Sequence, residues 1–182
     1  MKLGGAFLAL VLTGWAMVPG IISPARAAAD VLSIDANLKF LEDNKKQKGW
    51  IIRPSGLQFR ILQNGYGKRP SPTDTVKVYY TGKLINGVVF DGTSPGLPAS
   101  MKLNQVIPGW IEALQLMREG DRWQLVIPPN LGYGVRGSPD GGQAVPPNQV
   151  LIFDIKLIET TPAPRKGEKG YIPDPGDKDE QQ

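Results

Sequence analysis

Few residues in this chain could do chemistry, and their types and spacing restrict what that chemistry is. There is no His and no Cys, which excludes a Ser-His-Asp triad, a cysteine nucleophile, a thiol redox pair and the common zinc sites. Carboxylates stand at Asp91, Glu112 and Asp140, but no spacing ties two of them together as glycoside hydrolysis requires. Gly132-Tyr133-Gly134-Val135-Arg136-Gly137 matches the G-x-G-x-x-G pattern, whose glycines let backbone amides reach a pyrophosphate at the start of a helix. Pro139, Gly141, Gly142, Pro146 and Pro147 follow where that helix should be, so the segment reads as a glycine-rich loop. What remains is a set of large aromatics, Tyr80, Phe90, Trp110, Tyr133 and Phe153, at the ends or turns of different elements. Taken singly, each is better explained by ordinary packing, because aromatics dominate burial in any small domain.

The elements that must position these side chains are short. Ser33 can cap a helix reaching about Lys48, in which Ile34, Leu38 and Leu41 form one apolar stripe able to bury against the chain's own domain. Trp50 to Arg53 and Leu57 to Leu62 read as strands separated by Pro54-Ser55-Gly56. In Thr75 to Leu84, Val76, Val78 and Tyr80 alternate with Lys77, Tyr79 and Thr81, and Asn86-Gly87 turns the chain back into Val88-Val89-Phe90. Pro108 to Met117 is apolar on nearly every side, which predicts a short helix buried against a sheet and ended by Gly120. Arg122 to Ile127 and Val150 to Ile158 are two more strands, joined by the Pro/Gly-rich loop Pro128 to Asn148, long enough to suggest a functional role.

At 182 residues and 41% hydrophobic content the chain can bury one domain's core, while 22 Gly and 17 Pro favour many short elements over an all-helical bundle. Lys2 and the 23 uncharged residues after it, closing on Ala25-Arg26-Ala27-Ala28-Ala29, read as a signal peptide cut after Ala27 or Ala29. Residues 1–29 are thus an expected export leader, 30–54 a helix and connector, 55–159 the main domain and 160–182 a disordered tail. The whole chain carries +4, and loss of Lys2 and Arg26 with the leader leaves +2, too little to argue for nucleic acid. With no later apolar run long enough to span a bilayer, the mature product is expected to be exported, to the periplasm in first place with secretion or another lumenal compartment as alternatives, without stable membrane insertion.

Seven motifs give the aromatics a common context: Val78-Tyr79-Tyr80-Thr81-Gly82, Gly87-Val88-Val89-Phe90-Asp91, Val106-Ile107-Pro108-Gly109-Trp110, Met117-Arg118-Glu119-Gly120-Asp121, Tyr133-Gly134, Val145-Pro146-Pro147-Asn148 and Leu151-Ile152-Phe153-Asp154-Ile155. In order and spacing they resemble an FKBP-type peptidyl-prolyl isomerase over Ser55 to Glu159, and Gln105-Val106-Ile107-Pro108-Gly109-Trp110 is most similar to its exported, macrophage-infectivity-potentiator-like branch. The resemblance implies an α+β fold, a bent antiparallel sheet wrapping one short helix. It implies a pocket with Trp110 as floor, Tyr80, Phe90, Val106, Ile107, Tyr133, Val145 and Phe153 as walls and Asp91 as its polar side. The catalytic roles it implies fall on Asp91, on the Ile107 N–H and Tyr133 phenol as donors, and on Phe153. This sequence departs from eukaryotic members at Ala99 and Ser138, lacks a basic partner for Asp91 between Gly92 and Pro98, and carries an apparent insertion around Gly141-Gly142.

Rotation about an X-Pro bond needs neither nucleophile nor base, which accords with the missing His and Cys. The resemblance implies no metal and no cofactor, proline-containing polypeptides as partners, and possible binding of macrolide inhibitors. A non-catalytic chaperone or peptide-binding module with the same pocket is the alternative, and the short N-terminal helix predicts a monomer.

Overall fold

The computed structural model describes residues 31–138, 145–164 and 168–169. The expected leader, most of the expected tail, Asp140 and the Gly141-Gly142 insertion lie outside the described residues.

Seven antiparallel strands form one sheet: β1 (Ile51–Ile52), β2 (Gln58–Gln63), β3 (Thr75–Lys83), β4 (Val89–Gly92), β5 (Ala99–Lys102), β6 (Arg122–Ile127) and β7 (Leu151–Thr161). Their order is β1-β2-β6-β7-β3-β4, with β5 also on β3. One edge of β3 is therefore shared: Thr75 to Val78 pair with β5, and Thr81 to Lys83 pair with β4. Register shifts at Lys77/Val78 and Gly82/Lys83 bend β3 as bulges do. The β3–β4 turn is the expected one, with Gly87 at φ 85° and its N–H donating to Leu84 O at 2.9 Å.

Alternation along the strands sends side chains to two faces. Inward residues such as Val78, Leu125, Ile155 and Leu157 bury against α2 (Pro108–Leu116), whose Trp110, Ala113 and Leu114 are also buried. Outward Val126 and Ile152 pack instead with Val150 and with Leu41 of α1 (Ile34–Lys45). Two helices thus cover opposite faces of the sheet.

Three expectations need correction. Ser33 does cap α1, its Oγ accepting from Ala36 N at 3.2 Å, but the Ile34–Leu38–Leu41 stripe is not the buried face. Leu41 is 9% exposed, whereas Ile34 and Leu38 are 57% and 54% exposed; the helix turns Asn37, Leu41 and Asn44 inward because Gln149, before β7, and Gln58, on β2, offer amide partners there. The burial argument for a monomer loses two of its three side chains. Second, the strand expected over Val150 to Ile158 runs instead from Leu151 through Thr161, because Thr75 and Val76 of β3 still offer pairing edges there. Third, the expected strand Trp50 to Arg53 shrinks to Ile51–Ile52, and β5, which has no strand-like pattern, was not expected.

Candidate active site

The bend of the sheet and the N-terminus of α2 enclose a cavity of about 250 Å³ lined by Tyr80, Asp91, Met101, Gln105, Val106, Ile107, Trp110, Tyr133 and Phe153. Six separate stretches of chain contribute. Tyr80 comes from β3, Asp91 from β4, Met101 from β5 and Phe153 from β7. Gln105 ends a 3-10 turn, Leu103–Gln105, and Ile107 is the N-cap of α2, with Pro108 in its first turn. Tyr133 lies between two further 3-10 turns, Pro129–Leu131 and Gly134–Arg136.

The rings hold one another edge to face. Trp110 stands 4.9 Å from Tyr80 and 5.2 Å from Phe153, with interplanar angles of 88° and 81°, an arrangement that aligns ring edges with π faces. The Trp110 indole N–H is buried without a partner among the described residues, so packing alone fixes that ring. Tyr80 is tied further: its N–H donates to Thr93 Oγ1 at 3.1 Å and its hydroxyl to Asp91 Oδ2 at 2.7 Å. The other Asp91 oxygen accepts from Gly92 N at 2.8 Å.

Burial first, then the bond to Asp91 and its charge, push the Tyr80 phenol well above the ordinary tyrosine value. Tyr133 is raised in the same sense, by burial and then by the Asp91 charge. Both stay protonated donors throughout the neutral range. The Tyr80 hydroxyl is spent on Asp91, but the Tyr133 hydroxyl and the Ile107 N–H donate to nothing among the described residues. The cavity therefore combines apolar ring faces with two unspent donors.

Two sequence-predicted residues do not line it. Phe90 is buried behind Phe153, edge-on at 5.5 Å, and Val145 lies in the core, its carbonyl accepting from Ser138 N at 3.0 Å. Two lining residues were missed. Met101 was hidden because β5 was, and Gln105 was visible only as the residue before Val106-Ile107. Ala99, two positions before Met101, is not among the lining residues.

The loop resembling a dinucleotide motif carries Tyr133 instead. Gly137, at φ 71°, would place a Cβ 2.3 Å from Val145 O, so its glycine serves a close backbone approach. A larger groove of about 510 Å³ lies on the outer face of the sheet and shares only Tyr80 with the aromatic cavity. Its Arg122 and Asp154 already satisfy each other at 2.8 and 2.9 Å. No group of three or more His, Cys, Asp or Glu among the described residues could hold a metal ion.

Residues 67–158 match the family model of the FKBP-type peptidyl-prolyl cis-trans isomerase. The chain is 50% identical over 123 residues to the FKBP-type 22 kDa peptidyl-prolyl cis-trans isomerase of Escherichia coli strain K12, covering 67% of this chain and 58% of that protein. It is 49% identical over 127 residues to the outer membrane protein MIP of Legionella longbeachae, covering 68% and 52%. The chain thus spans little more than half the length of these two relatives. Among solved structures, FkpA from Escherichia coli aligns with a TM-score of 0.68 at 39% identity, covering 77% of this chain and 63% of that one. A peptidyl-prolyl cis-trans isomerase from Pseudomonas syringae aligns at 0.65 and 33% identity, covering 79% of this chain and all of the other. With half of its length in the family model and a whole solved member inside its fold, this chain belongs to the FKBP-type peptidyl-prolyl cis-trans isomerases.

Proposed function

We propose that the chain catalyses cis-trans rotation about X-Pro bonds of exported polypeptides, with the aromatic cavity as its active site. The observation that carries this reading is an apolar cage of Tyr80, Trp110 and Phe153 beside two unspent donors. An X-Pro bond prefers trans by only about 0.5–1 kcal/mol, yet a barrier of about 18–20 kcal/mol separates the isomers. The transition state has lost amide resonance and is less polar than either planar form, so an apolar site that fits the twisted amide lowers the barrier without any proton transfer. Trp110 and Phe153 hold the prolyl ring, the Ile107 N–H and Tyr133 O–H orient flanking carbonyls, and Asp91 keeps Tyr80 in place. Val106 shapes the wall, while Phe90 and Val145 support it from behind.

The test is the isomerisation rate of an uncharged prolyl peptide, with and without the chain beginning at Ala28. Acceleration with saturation supports the proposal. Peptide binding without acceleration overturns it in favour of a non-catalytic binding module. Tyr133→Phe removes one neutral hydrogen bond, worth about 0.5–1.5 kcal/mol, and is expected to lower kcat/KM about two- to tenfold.

The pH profile follows from the two phenols. Raising a phenol's pKa preserves its donor form to higher pH, so ionisation near the usual value of about 10 is deferred and no His titrates below it. On a peptide without ionisable flanks, kcat/KM is expected to stay level from about pH 5.5 to about 9.5. A bell-shaped profile, or a large solvent deuterium effect, would overturn the proton-free mechanism.

The proposal includes export through the leader in residues 1–29, with a mature terminus at Ala28 or Asp30. N-terminal sequencing of the protein from its host checks this, and recovery of Met1 on membrane-bound material would refute it. No helix among the described residues is long and apolar enough to cross a membrane. The same cage would admit the prolyl-like ring of a macrolide inhibitor, measurable as competition with the peptide.

A further inference from the structure

Helix α1 is held through buried amides at both of its ends, by the segment leading into β7 at one and by β2 at the other. Near its N-terminus, Asn37 and Gln149 are 1% and 5% exposed. Asn37 Nδ2 donates to Gln149 Oε1 at 3.1 Å and to Ser33 O at 2.9 Å, and Asn37 Oδ1 accepts from Val150 N at 2.8 Å. Gln149 Nε2 donates to Leu32 O at 3.1 Å and to Pro147 O at 2.9 Å. Every polar atom of the two amides is used, and a satisfied buried network of this kind fixes one geometry rather than several.

The segment held in this way is not remote from the cavity. Asn148, between the two bonded ends, sits at φ 59°, the only positive φ at a non-glycine among the described residues, a conformation that Asn tolerates better than most. Its N–H donates to Gly134 O at 2.8 Å, and Ser138 N–H donates to Val145 O at 3.0 Å. Residues 145–150 are thus bonded to α1 on one side and to the loop 134–138 on the other, and Tyr133 directly precedes that loop. At the opposite end of α1, Asn44 Nδ2 donates to Gln58 Oε1 at 2.8 Å and Gln58 Nε2 to Leu41 O at 3.1 Å. That second clamp ends on β2, which contributes nothing to the cavity.

We propose that the Asn37–Gln149 pair is a positioning device through which the N-terminal helix sets where the Tyr133 hydroxyl stands, making α1 part of the active site's support. The inference rests on the functional reading above. The two clamps bury comparable amides on the same helix, so a merely structural role predicts equal effects from both, and a positioning role predicts that only the Asn37–Gln149 clamp alters the site.

The experiment compares Asn37→Ala and Gln149→Ala with Asn44→Ala and Gln58→Ala in the chain beginning at Ala28, reading kcat/KM and amide hydrogen exchange. The expected result is a loss of about two- to tenfold in kcat/KM for the first two, no loss for the second two, and faster exchange at the Asn148 and Ser138 amides in the first two only. In a Tyr133→Phe background, Gln149→Ala is expected to add no further loss, because the hydroxyl it positions is gone. Equal losses from both clamps, or losses that multiply with Tyr133→Phe, would overturn the proposal. Gln149→Asn, one methylene too short to span its partners, carries the same test where the alanine variant does not fold. If the wild-type chain accelerates no isomerisation, the functional reading fails by itself. The exchange measurement still decides the clamp, which is overturned if Asn148 and Ser138 stay protected in Gln149→Ala.

Discussion

Phe153→Ala is expected to reduce kcat/KM by about 100-fold or more and to lower the melting temperature by roughly 10–20 °C. Phe153 is 3% exposed and sits mid-sheet, paired with Leu125 of β6 and Gly82 of β7's other neighbour, β3. Its ring meets Trp110, Phe90 and Tyr80 at 5.2, 5.5 and 6.2 Å. Truncating a buried Phe costs about 3–5 kcal/mol, the more so where neighbours cannot collapse into the space, and here both neighbouring strands are hydrogen-bonded in place. The same truncation enlarges the cavity and removes the ring against which a prolyl group would pack, so the substrate loses its position as well as its contact. Phe153→Leu, which keeps most of the volume, should recover most of the stability and less of the activity. Kinetics on the folded fraction, with thermal unfolding by circular dichroism, separates the two effects. A folded Phe153→Ala that keeps the wild-type rate would place the reaction elsewhere.

The elements that could be anticipated are those whose local pattern and long-range packing agree. Alternation in Thr75 to Leu84 followed by Asn86-Gly87 specifies a hairpin whatever surrounds it, and Pro108 heading a nine-residue segment in which only Glu112 and Gln115 are polar specifies a buried helix. Where local pattern and packing part, the sequence misleads. Ile34, Leu38 and Leu41 have the same i, i+4, i+7 spacing as Asn37, Leu41 and Asn44, and an apolar stripe is the ordinary choice for the buried face. The amides win because Gln58 on β2 and Gln149 in the loop before β7, 14 residues from Asn44 and 112 from Asn37, present matching amides, and that complementarity has no local signature. The strand β5 was hidden for a related reason: Ala99-Ser-Met-Lys has no strong β pattern and is held by pairing with β3. Met101 was lost with it. Phe90 and Val145 show the converse, since a buried apolar residue in the right motif can face the cavity or stand behind it, and only the packing of Phe90 on Phe153 tells which.

Gly82→Ala should also damage both stability and activity, less than the loss of Phe153 does but far more than one added methyl group ordinarily would. Gly82 pairs with Asp91 on one side and Phe153 on the other, so its backbone is held from both edges. A Cβ there would stand 2.7 Å from Cε1 of Phe153 and 2.8 Å from Cζ of Phe90, well inside the separation of about 3.5–4.0 Å at which carbon atoms attract. Phe90 is buried and has no free space to enter, and Phe153, braced by Trp110, can give way only towards the cavity it lines. Overpacking of this kind costs about 1–3 kcal/mol, and part of that strain is relieved by pushing Phe153 towards the cavity. Activity should therefore fall by about tenfold or more, out of proportion to the loss of stability, since small misplacements of a positioning group cost rate steeply. The cause can be isolated with a second substitution. Phe90→Leu shortens the ring that meets the new methyl but leaves every cavity-lining residue intact, so Gly82→Ala/Phe90→Leu should be both more stable and more active than Gly82→Ala alone. A double variant no better than the single one would mean that the methyl acts on the β3 backbone rather than on the rings, and Gly82 would then owe its place to strand geometry instead of to the aromatic cage.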